Sequence, residues 1–256
     1  MIRIELEYFF GAIRFFTRLP VPAWVGHTAE ALSHSARYFP AVGLVVGGIG
    51  ALVYWLALCL WPQPVAVLLS MAATIYATGG FHEDGLSDTA DGLGGGWDKQ
   101  RILDIMKDSR VGSYGVIAMV LALLGKFVLL SSLDPALVPW ALLAGHVLSR
   151  FCATTLLATM DYVRDDALSK AKPLATRLSG GNLFVALCFA VAPLVLLPWW
   201  KALAGVALAT VATLWLAGKF RHWLGGYSGD CLGAVQQVAE IGFYLGLVAN
   251  LAVLMS

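Results

Sequence analysis

Long apolar stretches separated by short polar hinges dominate the chain. They lie at 40–61, 65–81, 113–133, 137–160, 183–199, 202–218 and 233–255, each 17 to 24 residues long. About 20 helical residues cross the hydrocarbon core of a bilayer, so the pattern predicts seven membrane spans. Ahead of them, residues 2–18 place Ile2, Leu6, Phe9, Phe10, Ile13 and Phe16 on one helical face. Arg3, Glu7, Arg14 and Arg18 fall largely elsewhere, as in a helix lying in the membrane interface, and Pro20 and Pro22 stop it. The predicted fold is all-α: a polytopic membrane helical bundle of about seven transmembrane helices plus an N-terminal interfacial helix. No internal repeat or low-complexity linker divides it, so residues 1–256 read as a single integral-membrane catalytic domain.

Composition sharpens this picture. The chain is 59% hydrophobic and only 13% charged, whereas soluble domains carry about a quarter charged residues. A net charge of +1 gives no bulk basicity for nucleic acid. Cys59, Cys152, Cys188 and Cys231 lack metal-ligand or redox spacing and read as small core hydrophobes. Glu5, Glu7, Arg14 and Arg18 interrupt any signal-peptide core in the first twenty residues.

Charge is distributed unevenly between the two sides of the predicted bundle. Residues 1–39, 82–112, 161–182 and 219–232 fall on one side and hold 14 of the 17 Lys and Arg residues. Only Lys201 lies on the other side, while Lys126 and Arg150 fall within spans. The asymmetry places the first side in the cytoplasm, with the N-terminus inside and the C-terminus outside, and a bacterial inner membrane is the expected location.

The run Gly79–Gly96, GGFHEDGLSDTADGLGGG, carries the chemistry. It holds His82, Glu83, Asp84, Asp88 and Asp91, and no Lys or Arg appears from Gly79 to Asp98. If the run is helical, Asp84, Asp88 and Asp91 stand at i, i+4 and i+7 on one face. Carboxylates that close repel unless protons or cations neutralise them, and magnesium, Mg2+, is the ordinary divalent choice for oxygen ligands. Asp84, Asp88 and Asp91 are the primary candidate ligands, joined by Asp108 and Glu83; a solvated acidic loop is the plain alternative.

Three further groups stand out. Asp108-Ser109-Arg110 sets a carboxylate, a hydroxyl and a guanidinium together, a combination suited to gripping phosphate. Lys126, Arg150 and Glu240 are charges inside apolar spans, where an unpaired charge is expensive. His146 reads as an interhelical polar contact, and Arg150 either binds an anionic ligand or neutralises Glu240 across the bundle. Asp230, in GGYSGDCLGAVQQVAE, is either a helix cap or part of the site.

FTRLPVP at 16–22, YFPAVGLVVGG at 38–48, TGGFHEDGLSDTADG at 78–92, IMKDSRVGSYG at 105–115 and GGYSGDCLGA at 225–234 together resemble the cobalamin 5'-phosphate synthase family, also called adenosylcobinamide-GDP ribazoletransferases. His82, Asp84, Asp88, Asp91, Asp108, Ser109, Arg110 and Asp230 fall on that family's motif positions. The resemblance implies a magnesium-dependent transfer joining adenosylcobinamide-GDP to α-ribazole or α-ribazole 5'-phosphate, with release of GMP. Its catalytic set would be His82, Asp84, Asp88, Asp91 and Asp108, with Ser109, Arg110 and Asp230 contacting substrate; Lys126 and Arg150, as charges inside the spans, are further candidates for substrate contact. Other membrane transferases also cluster aspartates. However, Asp84-Gly85 lacks the Ala-Arg continuation of CDP-alcohol phosphotransferases, and the second acidic motif of intramembrane prenyltransferases is weak here. A cation transporter would place its ligands near the bilayer midplane, not at one face.

Overall fold

The structure, a computed structural model, describes residues 2–26, 29–164 and 177–250. Its helices are α1 (Ile2–Phe16), α2 (Ala29–Ser35), α3 (Phe39–Leu58), α4 (Gln63–Thr78), α5 (Phe81–Gly95), α6 (Lys99–Ile105), α7 (Ser113–Ser131), α8 (Val138–Thr159), α9 (Gly180–Val191), α10 (Trp199–Trp223) and α11 (Gly229–Val248). Among the described residues no sheet forms, only one bridge between Tyr162 and Tyr227. The amphipathic helix expected at 2–18 is α1, which buries Ala12, Ile13 and Phe16 and leaves Ile2, Ile4 and Leu6 exposed.

Five helical stretches are long and apolar enough to cross a membrane: Ala31–Leu58, α7, α8, α10 and α11. Leu52, Trp55, Leu124, Leu203, Val211 and Leu214 face outward from them, as lipid-facing side chains must. The stretches expected at 65–81 and 183–199 are shorter. α4 passes the test for a span only together with α5, from which it is bent by 87°, and α9 is a short apolar helix extended by a 3-10 turn. Contacts at the two ends nevertheless carry the chain across at both places. Gln63 at the start of α4 donates to the Leu133 carbonyl, while Ala77 near its end accepts from the Arg18 amide. Leu178, ahead of α9, donates to the Leu157 carbonyl, while Lys201 in α10 reaches the Leu247 carbonyl at the opposite end. Among the described residues there are thus five long apolar helices, or up to six spans if the bent α4–α5 pair is one, in place of seven similar ones. The middle of the 161–182 loop and the end of the 233–255 stretch lie outside the described residues.

Small residues set the helix spacing. Apolar side chains have no hydrophobic reason to leave lipid, so membrane helices gain chiefly from close packing. A Cβ at Gly43 would lie 2.5 Å from the His146 carbonyl oxygen and 2.6 Å from the Val147 Cα, and Gly47 one turn on is nearly as tight. These contacts are backbone, which cannot rotate away. Gly43→Val is therefore expected to force α3 from α8 and lose about 1–3 kcal/mol, read as a lowered unfolding midpoint in detergent.

The site is positioned by another pair of glycines. Gly79 and Gly80 both adopt φ +71°, the left-handed region that a side chain disfavours. Two such residues in succession end α4 and redirect the chain, so α5 does not continue the span. It lies instead against the N-terminal ends of α7 and α11, where Gly85 and Gly233 approach to 3.2 Å between Gly85's Cβ direction and the Gly233 Cα. The acidic run thus forms a helix, as its spacing predicts, at the end of the bundle that also carries Arg18, Asp161 and Tyr227.

Candidate active site

Helicity does stack Asp84, Asp88 and Asp91, but the three meet different surroundings. Asp84 is exposed and lines an open cleft of about 680 Å³. The other lining residues include Arg18, Gly79, Gly80 and Ser87 on one side and Val111, Val116, Met119 and Val120 on the other. Asp88, one turn along, is half-buried. Its carboxyl is pushed up to about 7, first by burial and then by the neighbouring carboxylates of Asp230 and Asp84. Asp91 faces elsewhere. It accepts hydrogen bonds from the Gly112 amide (2.7 Å) and the Gly115 amide (2.8 Å), the free donors at the start of α7. Gly112 and Gly115 are glycines because a Cβ at either would collide with that carboxylate. Each oxygen of Asp91 accepts one of these amides, so Asp91 caps α7.

Asp230 takes the vacated place. Ser228 caps α11 through the Cys231 amide, which leaves the Asp230 carboxylate free of capping. It pairs instead with Arg164 at 2.7 Å and faces Asp88. Of the two readings of Asp230, cap or site, the geometry supports the site. Arg164 was not among the residues singled out in the sequence; it follows the 137–160 span as one of several loop cations, and nothing local marks it.

The remaining candidates lie away from the cleft. His82 is buried, stacked on Phe16 at 5.2 Å, and its pKa is lowered well below the usual value by burial and by the charge of Arg150. It lines an enclosed, largely apolar cavity of about 20 Å³, about enough for one water, behind α5. Glu83 turns into the bundle, where it accepts from Gln237 at 3.0 Å. Asp108 and Arg110 form an exposed local pair at 2.6 Å that holds Asp108 down at about 2, and Ser109 between them is exposed. They are not brought onto Asp84 and Asp88.

Lys126 and Arg150 are not in the cleft either. Lys126 pairs with Glu240 at 3.2 Å, and Glu240 also accepts from Gln236 (2.6 Å) and Tyr244 (3.1 Å). Arg150, 1% exposed, donates to the His146 carbonyl at 2.9 Å. The direct counter-charge to Glu240 is therefore Lys126, with Arg150 beside the pair. Both cations are buried and neither lines the cleft. Gln237 links this buried network to Glu83, and so to the acidic helix.

Among the described residues no three His, Cys, Asp or Glu side chains converge tightly enough to hold an ion as they stand. The donor chemistry of Asp84, Asp88 and Asp230 nevertheless suits a hard divalent cation. Asp88 in particular carries a mutual repulsion that a cation would relieve.

The cobalamin-5-phosphate synthase family model matches residues 8–248. The chain is similar to proteins named adenosylcobinamide-GDP ribazoletransferase from Shewanella woodyi, at 48% identity over 97% of this chain and 98% of that one. A protein of that name from Leptothrix cholodnii is 47% identical over 96% of each, and one from Polaromonas is 46% identical over 94% and 95%. No solved structure matches the chain.

Proposed function

The chain belongs to the cobalamin-5-phosphate synthase family, and from this we propose that it joins adenosylcobinamide-GDP to α-ribazole or its 5'-phosphate, releasing GMP. The observation that carries the proposal is near full-length similarity to adenosylcobinamide-GDP ribazoletransferases. The cleft lined by Asp84 supports it, because it offers an acidic group, with Asp88 one turn along the same helix, at one end of the bundle and open to soluble substrates. The family match also displaces the CDP-alcohol phosphotransferase, prenyltransferase and transporter readings.

In the reaction a ribose hydroxyl oxygen forms a bond to the phosphorus that bears the cobinamide. The bond from that phosphorus to the bridging oxygen breaks, and GMP departs with that oxygen. The hydroxyl proton passes to a carboxylate of the Asp88–Asp230 group, since His82 lies behind α5 and away from the cleft. Magnesium, held by Asp84, Asp88 and Asp230, would neutralise charge on the pyrophosphate and the departing phosphate. The Arg164 guanidinium orients Asp230 toward this group. The cleft opens to the cytoplasm, the side on which Lys and Arg concentrate.

Two measurements test this reading. Purified protein given adenosylcobinamide-GDP, α-ribazole and magnesium is expected to release GMP in step with corrinoid product; GMP release that ignores ribazole would contradict it. Magnesium dependence should also track pH. Asp88 carries a proton below about 7, and only its ionised form binds a cation. The half-saturating magnesium concentration should therefore rise as pH falls below 7, by up to about tenfold per unit, and level off above 8.

A further inference from the structure

Arg18 sits at the mouth of the cleft, and its guanidinium is not engaged as those of several other arginines are. Arg14 donates to the Val25 and Gly26 carbonyls, Arg37 pairs with Glu5, and Arg164 pairs with Asp230. The exposed Arg18 guanidinium has no ion pair or side-chain hydrogen bond among the described residues, though Asp84 lines the same cleft. Its backbone, by contrast, is fixed. The Arg18 amide donates to the Ala77 carbonyl at 2.8 Å, and the Thr17 hydroxyl both donates to Ile13 (2.7 Å) and accepts from the Leu19 amide (3.2 Å).

The side chain runs close to Gly79. A Cβ there would meet the Arg18 Nε and Cζ, so the guanidinium lies against that glycine. Gly79 thus serves two ends: its positive φ turns the chain, and its missing side chain leaves room for the cation. The result is a planar, unpaired, positioned guanidinium in a cleft whose other charged lining group is the carboxylate of Asp84.

We infer that Arg18 is a substrate-binding residue that takes the non-bridging phosphate oxygens of the nucleoside diphosphate group in the cleft it shares with Asp84. The inference rests on the transferase reading above and deepens it. A diphosphate diester brings two negative charges into a site already crowded with carboxylates. A cation held on carboxylates offsets part of that charge, and a guanidinium fork offsets the rest with two directed hydrogen bonds. The apolar wall of Val111, Val116 and Val120 leaves the remainder of the cleft to the bulky part of the substrate beyond the phosphates.

The test uses the purified full-length protein, Arg18→Ala and Arg18→Lys, with GDP plus magnesium as the binding probe. Arg18→Ala is expected to weaken GDP binding, and to raise KM for adenosylcobinamide-GDP, by roughly 10- to 100-fold. KM for α-ribazole and the unfolding midpoint should stay at wild-type values. Arg18→Lys should fall between, because it keeps the charge and loses the fork. Unchanged GDP binding in Arg18→Ala overturns the inference, as does equal loss for both substrates with a lowered midpoint. Wild-type protein that releases no GMP would sink the transferase reading and this inference together. Wild-type turnover with a fully competent Arg18→Ala would sink this inference alone.

Discussion

Asp88→Asn is expected to lower turnover by roughly 1,000-fold while the protein stays folded. Asn keeps the volume and one carbonyl oxygen but cannot ionise, so the site loses a charge where a cation would bind. Folding is spared for a specific reason. Asp88 is half-buried among Asp84 and Asp230 and held near 7, so its ionised form is not a source of native stability. Removing the charge relieves repulsion, and the unfolding midpoint should be unchanged or slightly raised. Circular dichroism melts alongside the GMP assay decide this: a variant of wild-type activity removes Asp88 from the site, and a variant that unfolds makes the residue structural.

The second large effect is on stability and lies in the bundle core. Glu240 is 2% exposed and pairs with Lys126 at 3.2 Å. Glu240→Gln keeps the shape and much of the hydrogen bonding but leaves the Lys126 ammonium without a counter-charge, next to Arg150. Breaking a buried pair on one side typically costs about 3–5 kcal/mol, while removing both charges can be neutral. Glu240→Gln should therefore melt far below the wild type, and adding Lys126→Met should recover most of the loss. A single variant as stable as the wild type would show that the pair does not hold α7 to α11.

Much of this was legible in the sequence because it depends on local spacing. The apolar runs, the interfacial face of α1 and the i, i+4, i+7 stack of acids follow from a 3.6-residue period. Local spacing does not reveal which partner claims each side chain. Asp91 shares a face with Asp84 and Asp88, yet it is taken by amides of Gly112 and Gly115, more than twenty residues on. Those glycines show in the sequence only as part of VGSYG, with nothing to say what approaches them. Lys126 and Glu240 could be recognised as costly charges, but their pairing depends on the register of α7 against α11. Arg18 reads as one more cation of an interfacial helix, because Gly79, the left-handed glycine that faces it, is far along the chain. The length of α9 was misjudged for a related reason: Pro193 and Pro198 lie in an apolar stretch but break its helix into a short α segment and a 3-10 turn.

Metal rescue at Asp88 tests most directly whether the acidic helix is a cation-dependent transfer site. Asp88→Cys replaces a hard oxygen ligand by a soft thiolate, which favours cadmium over magnesium. The variant is expected to be inert with magnesium and to regain GMP release when cadmium is supplied, whereas the wild type prefers magnesium. Activity of Asp88→Cys with magnesium alone, or no recovery with any thiophilic metal, would contradict a role for Asp88 in holding the ion.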